Sequence, residues 1–340
     1  MDKSFECPLP DPEQDKILLG HGGGGQLTHE LLHDDILPRI GSPLNNHDGA
    51  GISIGSTRYY FTTDSYVVSP WRFPGGDIGK LAVYGTVNDL AMCGAEAKAL
   101  SIAFILEEGF SRAAFREILS SMQYAAAECR LDIVTGDTKV VERGKGDGIY
   151  VNSTGVGESR LTTAIDHTRV EPGDQIIVSG DIGRHGLTIM ATREGLSFES
   201  ELQSDCKSLW PEVSSLLARD IGIHFLRDLT RGGLATALVD IAEESGYDIA
   251  VTEELIPISA EVRGACELLG LDALTAACEG RFVAIVPARE ASRTLECLGD
   301  AASVIGEVQN KKQKTLRLKT ATGIFRRLHR LQGELLPRIC

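Results

Sequence analysis

The sequence has 340 residues, a length that corresponds to about two domains. With 42% hydrophobic and 24% charged residues it can form a sizeable core, which excludes wholesale disorder, and no apolar run approaches the roughly 20 residues of a membrane helix. The net charge of -14 argues against nucleic acid as a partner, because duplex binding needs a basic face. Residues 1–15 lack the basic and apolar regions of a signal peptide, so we predict a cytoplasmic protein without a membrane partner.

The first half of the chain alternates short apolar runs with helical patterns. We predict two strands within 51–63 around a turn at Ser56-Thr57, further strands at 98–106, 131–135 and 148–156, and helices at 77–92 and 111–128. Asp77 and Ser111 are placed to cap the two helices at their N-termini.

The second half follows a polar boundary at 162–174 that contains a Pro172-Gly173-Asp174 turn. We predict strands at 175–179, 248–252, 281–286, 302–308 and 314–319, and helices near 185–194, 211–219, 232–244, 259–269 and 289–298. Many strands are joined by short turns, which favours mixed or antiparallel sheets over one doubly wound parallel sheet. The predicted fold class is therefore α/β (α+β) with two mixed-sheet domains.

Two glycine-containing segments partly match known nucleotide-binding motifs. Gly20-x-Gly22-x-x-Gly25 matches the dinucleotide fingerprint literally, but the βαβ unit that this motif needs is not evident, so a flexible or anion-cradling loop is favoured. Gly75-x-x-x-Gly79-Lys80 is one residue too short for a phosphate loop, and Leu81 replaces the hydroxyl residue. ATP, if it is used, must bind to another scaffold.

A recurring arrangement is the stronger signal: an apolar run ends in an aspartate, with a hydroxyl residue close behind. It occurs at Asp64-Ser65, Asp137-Thr138 and Asp228-x-Thr230. Magnesium takes one or two carboxylates together with phosphate oxygens, so such aspartates could converge on a phosphate-bound metal. The candidates are Asp48, Asp64, Asp89 and Asp137. Each one alone is more often a turn residue or helix cap, but three copies favour the metal site.

Two basic positions accompany these aspartates. Lys139 follows Asp137-Thr138 and carries a point charge suited to a phosphate, or it is an ordinary surface lysine. Arg231-Gly232-Gly233 opens a predicted helix after Asp228, where backbone N–H groups could face an anion. An ordinary helix start explains the second feature equally well.

The eight cysteines show no zinc or redox spacing, and most lie in apolar settings where cysteine acts as a small core residue. Cys340 differs because it is the last residue and follows Pro337, which resists regular helix. Ten extended residues span up to about 33 Å, so this thiol could enter a distant pocket as a nucleophile. Taken alone, an accidental terminal thiol would be the simpler explanation.

Together these segments resemble a known family. The matching blocks are 61–70, 73–82, 87–92, 134–141, 230–238 and the tail Pro337-Arg338-Ile339-Cys340. They are similar to the HypE family of hydrogenase maturation carbamoyl dehydratases, and the match covers essentially 17–340. Single blocks also resemble the wider ATP-using superfamily of aminoimidazole ribonucleotide synthetase. The resemblance implies the two-domain fold of this superfamily. It places a Gly-rich segment at 1–42, an ATP-binding and dimerisation domain at 43–160, a second α/β domain at 161–322 and a mobile tail at 323–340.

The resemblance also implies a reaction, in which a carbamoyl group on Cys340 is dehydrated to a thiocyanate with ATP and Mg²⁺, as the source of the cyanide ligand of [NiFe] hydrogenase. Glu279 is then the candidate base, and Lys139 would stabilise phosphate charge. The expected metal ligands are Asp48, Asp64, Asp89 and Asp137. The expected ATP-binding residues are Asp48, Asp64, Lys80, Asn88, Asp89, Asp137, Thr138, Asp228 and Arg231.

The implied partners are a second copy of the chain, a HypF-like carbamoyltransferase that loads Cys340, and a HypC-HypD-like scaffold complex that accepts cyanide. Two alternative functions stay open at this stage. One is a carbamoyl or cyano carrier without catalytic activity. The other is a related ATP-using reaction such as selenophosphate synthesis, which would need a reactive cysteine beside the glycine-rich segment; Cys7 is the nearest cysteine, thirteen residues before Gly20.

Overall fold

The first half of the chain folds around a five-stranded sheet. The computed structural model describes residues 16–40, 47–196, 202–310, 312–330, 336 and 338–340, so the acidic N-terminus with Cys7 and Pro337 lie outside the described residues. The glycine-rich segment forms a 3-10 turn at Leu19–Gly22, helix α1 (Gln26–Glu30), a π-helical stretch (Leu31–Ile36) and α2 (Leu37–Ile40). The next elements are β1 (Ala50–Ile54), β2 (Thr57–Tyr66), β3 (Arg72–Phe73), β4 (Gly76–Asp77), α3 (Ile78–Met92), β5 (Glu96–Glu107), α4 (Arg112–Glu128), β6 (Asp132–Val141) and β7 (Ile149–Ser159). The sheet order is β1-β2-β7-β5-β6.

The second half builds a seven-stranded sheet in the order β14-β13-β10-β12-β8-β11-β9. Its strands are β8 (Gln175–Val178), β9 (Phe225–Asp228), β10 (Asp248–Thr252), β11 (Phe282–Val286), β12 (Ser303–Gln309), β13 (Leu316–Lys319) and β14 (Phe325–Leu328). Its helices are α5 (Arg184–Arg193), α6 (Trp210–Ala218), α7 (Gly233–Ser245), α8 (Ala260–Leu269) and α9 (Ala291–Leu298). Both sheets mix parallel and antiparallel pairs, which confirms the predicted fold class.

The predicted strands and helices are present, with ends that differ by a few residues. The largest difference is β6, predicted to end at 135, which continues to Val141 because it pairs along the whole of β5. The predicted strands end at 63 and 135, before Asp64 and Asp137, but both residues lie within strands, where the backbone ladder continues through them. The predicted tail from residue 323 begins with a strand, β14, which pairs with β13.

Helix α3 lies between the two halves and is buried on nearly every side. The Asp77 carboxylate caps it by accepting hydrogen bonds from the backbone N–H groups of Gly79 (2.7 Å) and Lys80 (3.0 Å), as predicted. Gly85 permits a close approach to β2, because a Cβ at this position would lie 2.2 Å from the Tyr66 hydroxyl. This packing brings Asp89 near the end of the helix towards the strand that carries Asp64.

One face of the five-stranded sheet carries apolar side chains that solvent can reach. They include Ile52, Ile54, Phe61, Ile105 and Val134. Every residue of β1 is exposed, as is most of β6, whereas the opposite face of the sheet packs on α3 and α4. No helix in the described part of the chain is both long and apolar enough to cross a membrane.

Candidate active site

A pocket of about 230 Å³ lies where β2, α3 and β9 meet the end of the chain. Acidic and hydroxyl side chains dominate its walls. Its lining includes Asp48, Thr62, Asp64, Asp89, Arg227, Asp228, Thr230, Arg231, Glu279 and Cys340. The fold thus gathers seven residues that the sequence singled out from six separate segments of the chain.

Three of the aspartates are held on one side of the pocket by strand β2. Thr62 Oγ1 lies 2.7 Å from Asp89 Oδ2 and 3.0 Å from the backbone oxygen of Asp48. The Tyr66 hydroxyl donates to Asp64 Oδ2 at 3.3 Å. Because β2 side chains alternate between faces, Thr62, Asp64 and Tyr66 all point towards α3.

The opposite side is built by β9 and the turn after it. Arg227 Nε lies 3.1 Å from Asp48 Oδ1, and Thr230 Oγ1 donates to Asp228 Oδ1 at 3.1 Å. Burial raises the pKa of Asp48 to about 8 although Arg227 acts in the opposite direction, and burial raises the pKa of Asp228 to about 6. Burial and the charge of Asp64 raise the pKa of Asp89 well above its usual range. The pocket thus holds several acids that resist simultaneous ionisation.

Glu279 lies at the back of the pocket and is 3% exposed. Its Oε1 has no hydrogen-bond partner, so the carboxyl group faces the cavity with a free oxygen. Burial, followed by the charges of Asp228 and Asp205, raises the pKa of Glu279 well above its usual range. A carboxylate of raised pKa is a stronger base once it is ionised.

Cys340 lines the same pocket as Glu279 and Arg231. Burial and the charge of Glu279 raise the pKa of the Cys340 thiol to about 12, while Arg231 acts in the opposite direction. A thiol with this pKa is almost entirely protonated at neutral pH and is a weak nucleophile. The docked position therefore suits a group already attached to the sulfur better than it suits the attachment step.

The backbone of residues 338–340 is held like an added strand beside the end of β2. The N–H of Val67 donates to the Cys340 oxygen at 2.9 Å, and the N–H of Ser69 donates to the Arg338 oxygen at 3.2 Å. Arg193 donates to both the Arg338 and Ser69 oxygens. Arg338 itself donates through Nε to the Val67 oxygen at 3.0 Å and forms an ion pair with Asp147. The sulfur is thus placed by main-chain recognition of the residues around it.

The glycine-rich N-terminal segment reaches this site through Arg231. Arg231 Nη1 donates to the Gly22 oxygen at 3.3 Å. Gly24 has φ +77°, and a Cβ there would lie 2.7 Å from the Arg231 Cβ, so only glycine permits this contact. An adjoining cavity of about 460 Å³ is lined by Gly24, Gly25, Arg231 and other polar residues. The segment is a wall beside the pocket rather than part of a βαβ unit.

Five of the residues singled out by the sequence lie elsewhere. Asp137 and Thr138 line an apolar groove of about 770 Å³ between α4 and β6, and the exposed Lys139 pairs with Asp137 at 2.5 Å. The register Ser65↔Asn152, Asn152↔Ala103 and Ala103↔Asp137 puts Asp137 three strand spacings from β2, about 14 Å. Its row of side chains belongs to the exposed face of the sheet.

Lys80 and Asn88 occupy other parts of α3. Lys80 Nζ lies 5.4 Å from the centre of the Tyr124 ring. Asn88 is buried, donates to the Lys207 oxygen at 3.0 Å and accepts from the Leu209 N–H at 2.7 Å. Asn88 thus joins α3 to the 207–209 segment of the second half. The role of Lys139 in stabilising phosphate charge and the ATP-binding roles of the other four residues stay predictions.

Sequence reasoning missed several residues of the site. Arg227 interrupts the apolar run before Asp228, and a charge within a buried strand is a signal that it has a buried partner. His47 directly precedes Asp48 and lines the pocket. His185, Ser204 and Asp205, which contact the tail and the Glu279 loop, stand in no recognisable pattern.

The two halves of the fold define the class of protein to which the chain belongs. A family model described as "AIR synthase related protein, N-terminal domain" matches residues 46–159, and one described as "AIR synthase related protein, C-terminal domain" matches residues 171–319. The chain is therefore an AIR synthase-related protein, with its polar pocket between the two domains.

More similar relatives narrow this class. The chain is 42% identical to "Carbamoyl dehydratase HypE" of Azotobacter vinelandii, over 97% of this chain and 99% of that protein. It resembles "Crystal Structure of Hydrogenase Maturation Protein HypE in complex with ATP" (TM-score 0.81, 42% identity, 96% of this chain and 100% of that one). It also resembles "Crystal structure of HypE-HypF complex" (TM-score 0.83, 38% identity, 88% and 99%). The chain belongs to the HypE family of carbamoyl dehydratases, enzymes of hydrogenase maturation.

This membership decides between the functions that the sequence left open. The relatives are carbamoyl dehydratases, so the prediction of an enzyme of this kind is confirmed, in preference to a carrier or a selenophosphate-forming enzyme. The relative in complex with ATP confirms that ATP binding occurs within the family.

Proposed function

We propose that Cys340 carries a carbamoyl group, which this chain dehydrates to a thiocyanate for the iron site of [NiFe] hydrogenase. The observation that carries the proposal is that Cys340 and Glu279 line one buried pocket with the carboxylates of Asp48, Asp64 and Asp89. A sulfur cargo, a base and a set of anionic metal ligands are the groups that the reaction needs.

The reaction balances as R–S–C(=O)–NH₂ plus ATP giving R–S–C≡N, ADP, phosphate and one proton. Bound ATP supplies the phosphoryl group that turns the carbamoyl oxygen into a good leaving group. The carbamoyl nitrogen loses both its protons: one goes to Glu279, which passes it on to solvent, and one goes to the departing phosphate. The C–O bond breaks as the C≡N bond forms. The chain's task is to hold the sulfur still and to remove protons from nitrogen.

Glu279 is suited to the proton removal. It is almost fully buried, one oxygen is free of hydrogen bonds, and its raised pKa makes it a strong base when it is ionised. Cys340 is placed in the same cavity by the N–H groups of Val67 and Ser69, just after β2, which donate to the oxygens of Cys340 and Arg338. Exclusion of water here also protects the product from hydrolysis.

The carboxylates of the pocket fit a magnesium ion that is shared with phosphates. Asp48 Oδ2 is buried without a hydrogen-bond partner, and Asp64, Asp89 and Asp228 line the same cavity. Among the described residues, no three acidic, histidine or cysteine side chains converge closely enough to hold a metal by themselves. Magnesium commonly takes only one or two carboxylates and completes its shell with water and phosphate oxygens. Asp48, Asp64 and Asp89 would hold it, and it would neutralise phosphate charge.

Arg231 and the glycine-rich segment are suited to the phosphates themselves. Arg231 lines both the pocket and the adjoining cavity and is tied to the Gly22 oxygen. Guanidinium groups bind phosphate through several parallel hydrogen bonds. We place the triphosphate between Arg231 and the aspartates.

Loading of Cys340 requires a carbamoyltransferase partner. A relative forms a HypE–HypF complex, which supports a partner of the HypF type. Because burial raises the pKa of the docked thiol to about 12, the thiolate needed for loading forms more readily when the tail is outside the pocket. We propose that the tail moves outward for loading, inward for dehydration, and outward again to pass cyanide to a HypC-HypD-like scaffold.

The chain is also proposed to form a homodimer through the five-stranded sheet. The exposed face of this sheet presents Ile54, Phe61, Ile105 and Val134, which are 42 to 64% exposed. Contiguous apolar faces of this kind are uncommon on monomers and mark interfaces. The register Ala103↔Asp137 and Ile105↔Lys139 puts Asp137 and Lys139 on this face, so a second copy bound there would cover them.

Replacement of Glu279 by Gln tests the proposal. With carbamoyl-Cys340 protein made by a HypF-type transferase, we expect conversion to thiocyanate to slow by about 10²- to 10⁴-fold, the usual contribution of a general base. The infrared nitrile band measures conversion, and nucleotide binding should be retained. Glu296→Gln, on the exposed face of α9, is the matched control. Unchanged conversion in Glu279→Gln would remove Glu279 from the mechanism.

A further inference from the structure

His185 is a fully buried ring in the first turn of α5 that contacts the docked tail. Its Nε2 lies 2.6 Å from the Ile339 oxygen, and a carbonyl oxygen can only accept, so Nε2 carries the hydrogen. Burial lowers the pKa of His185, which keeps the ring neutral and leaves Nδ1 as an acceptor. The ring also packs edge-on against Phe73 at 5.3 Å, which limits its rotation.

Ser204 continues this contact away from the tail. Its Oγ lies 2.8 Å from His185 Nδ1, so the hydroxyl donates to the ring. The same oxygen accepts a hydrogen bond from the Cys206 N–H at 3.1 Å. The His185 ring therefore orients the Ser204 side chain within the turn formed by residues 204–206, whose backbone is also held by the Ser204 N–H donating to the Pro74 oxygen at 3.0 Å.

Asp205, in the middle of that turn, holds the loop that carries Glu279. Its Oδ1 accepts from the Glu279 N–H at 3.1 Å and its Oδ2 accepts from the Gly280 N–H at 3.2 Å. A Cβ on Gly280 would lie 1.9 Å from the backbone oxygen of Asp205, so the two segments approach each other as closely as only glycine permits. Both backbone N–H groups of the Glu279 loop thus depend on one carboxylate.

We propose that His185, Ser204 and Asp205 form a positioning link that couples docking of the Cys340 segment to the placement of Glu279. The functional meaning of the link rests on the proposed roles of Cys340 and Glu279. When the tail leaves, the buried Nε2–H of His185 loses its acceptor, and an unsatisfied buried donor is costly. The ring and Ser204 then lose their fixed orientation, and the Asp205 clamp loosens. The Glu279 loop, whose carbonyl side is held separately by Lys207 and Asn88, is then fixed most firmly while the tail is in the pocket.

Coupling of this kind must be reciprocal, because two linked equilibria change each other by the same factor. Weakening the Asp205 clamp must therefore release the tail, although Asp205 makes no hydrogen bond with residues 338–340. A purely local structural role for Asp205 would not produce this effect. Reciprocity gives the proposal its test.

The experiment uses the full chain and two readouts that do not involve turnover. Iodoacetamide labelling of Cys340, followed by the mass of the C-terminal peptide, reports undocking of the tail. Amide hydrogen exchange at Glu279 and Gly280 reports the clamp. We expect Ser204→Ala to increase both rates roughly tenfold, since it removes a buried hydrogen bond, and Asp205→Asn to increase the labelling of Cys340 by a similar factor. Ser204→Thr keeps the hydroxyl and should restore both rates.

Thr192→Ala, which removes a hydroxyl from the same helix as His185 without touching the link, controls for general loosening of α5. Wild-type labelling of Cys340 in Asp205→Asn would overturn the coupling, as would faster labelling in Ser204→Ala with unchanged exchange at 279–280. If Ser204→Ala fails to fold, Asp205→Asn decides the matter alone. Neither readout depends on conversion of the carbamoyl group. If Glu279 were not the base, the proposed function would fail, but the coupling between the tail and the Glu279 loop could still be tested.

Discussion

The backbone N–H of Val67 donates a 2.9 Å hydrogen bond to the main-chain oxygen of Cys340. Val67 directly follows β2, the strand that carries Asp64 three residues earlier. One continuous segment therefore sets the position of a pocket carboxylate and the register of the docked tail. A slip of one residue would turn the sulfur to the opposite side, as in any strand pairing. The tail thus has a single productive register.

Arg338 anchors this register, and its loss should uncouple docking from the rest of the site. In Arg338→Ala the hydrogen bond to the Val67 oxygen and the ion pair with Asp147 are both lost. We expect conversion of carbamoyl-Cys340 to slow by roughly tenfold, because two polar contacts of a part-buried group are removed. ATP binding, measured by calorimetry, should be unchanged. The control is Arg326→Ala on β14, whose partner is the exposed Asp272; a normal rate in Arg338→Ala would contradict the anchoring role.

Binding of magnesium and nucleotide should release protons. Burial raises the pKa of Asp48 to about 8 and that of Asp228 to about 6, so both carboxyls hold protons at pH values where free carboxyls are ionised. A bound cation favours the ionised form and expels these protons. Affinity should therefore rise from about pH 6 to about pH 8 and level off above it.

Calorimetry in buffers of different ionisation enthalpy counts the released protons directly. Asp48→Asn should reduce the number released, and Asp300→Asn, at an exposed position, should not. If magnesium and nucleotide bind without proton release and with equal affinity at pH 6 and pH 8, Asp48 and Asp228 do not contact them.

Much of this site can be read from the sequence, and the remainder depends on pairing that is remote in the chain. Asp64 and Asp228 were found because each follows an apolar run, and that run forms a strand. The same rule also selected Asp137, which lies outside this pocket because β6 is the edge strand at the other end of the sheet. Local sequence patterns predict which segments form strands, but they do not predict the order of those strands in the sheet.

The tail illustrates the same limit. Cys340 was singled out by its place at the end of the sequence, and the docking residues were not. Arg338 and Val67 are 271 residues apart, and His185 meets Ile339 across 154 residues. Neither His185 nor Asp205 belongs to a motif, since what matters is the direction of a hydrogen bond and not a spacing.

The exposed sheet face gives a separate prediction about assembly. We expect Val134→Asp and Ile54→Asp to convert a dimer into a monomer, because a buried charge without a partner strongly opposes association. Light scattering after size-exclusion chromatography measures the mass. Leu268→Asp, at a 69% exposed position on α8, should leave the dimer intact. A wild-type monomer, or dimers in all three variants, would contradict an interface on this sheet.

The central claim is that the sulfur of Cys340 carries the group that loses oxygen in this pocket. The most direct measurement is the intact mass of protein carbamoylated at Cys340, before and after ATP and Mg²⁺ are added without any other protein. We expect the mass to fall by about one water, with one ATP hydrolysed per chain and no change in Cys340→Ser protein treated in the same way. A constant mass, conversion without ATP consumption, or conversion in Cys340→Ser would contradict the account.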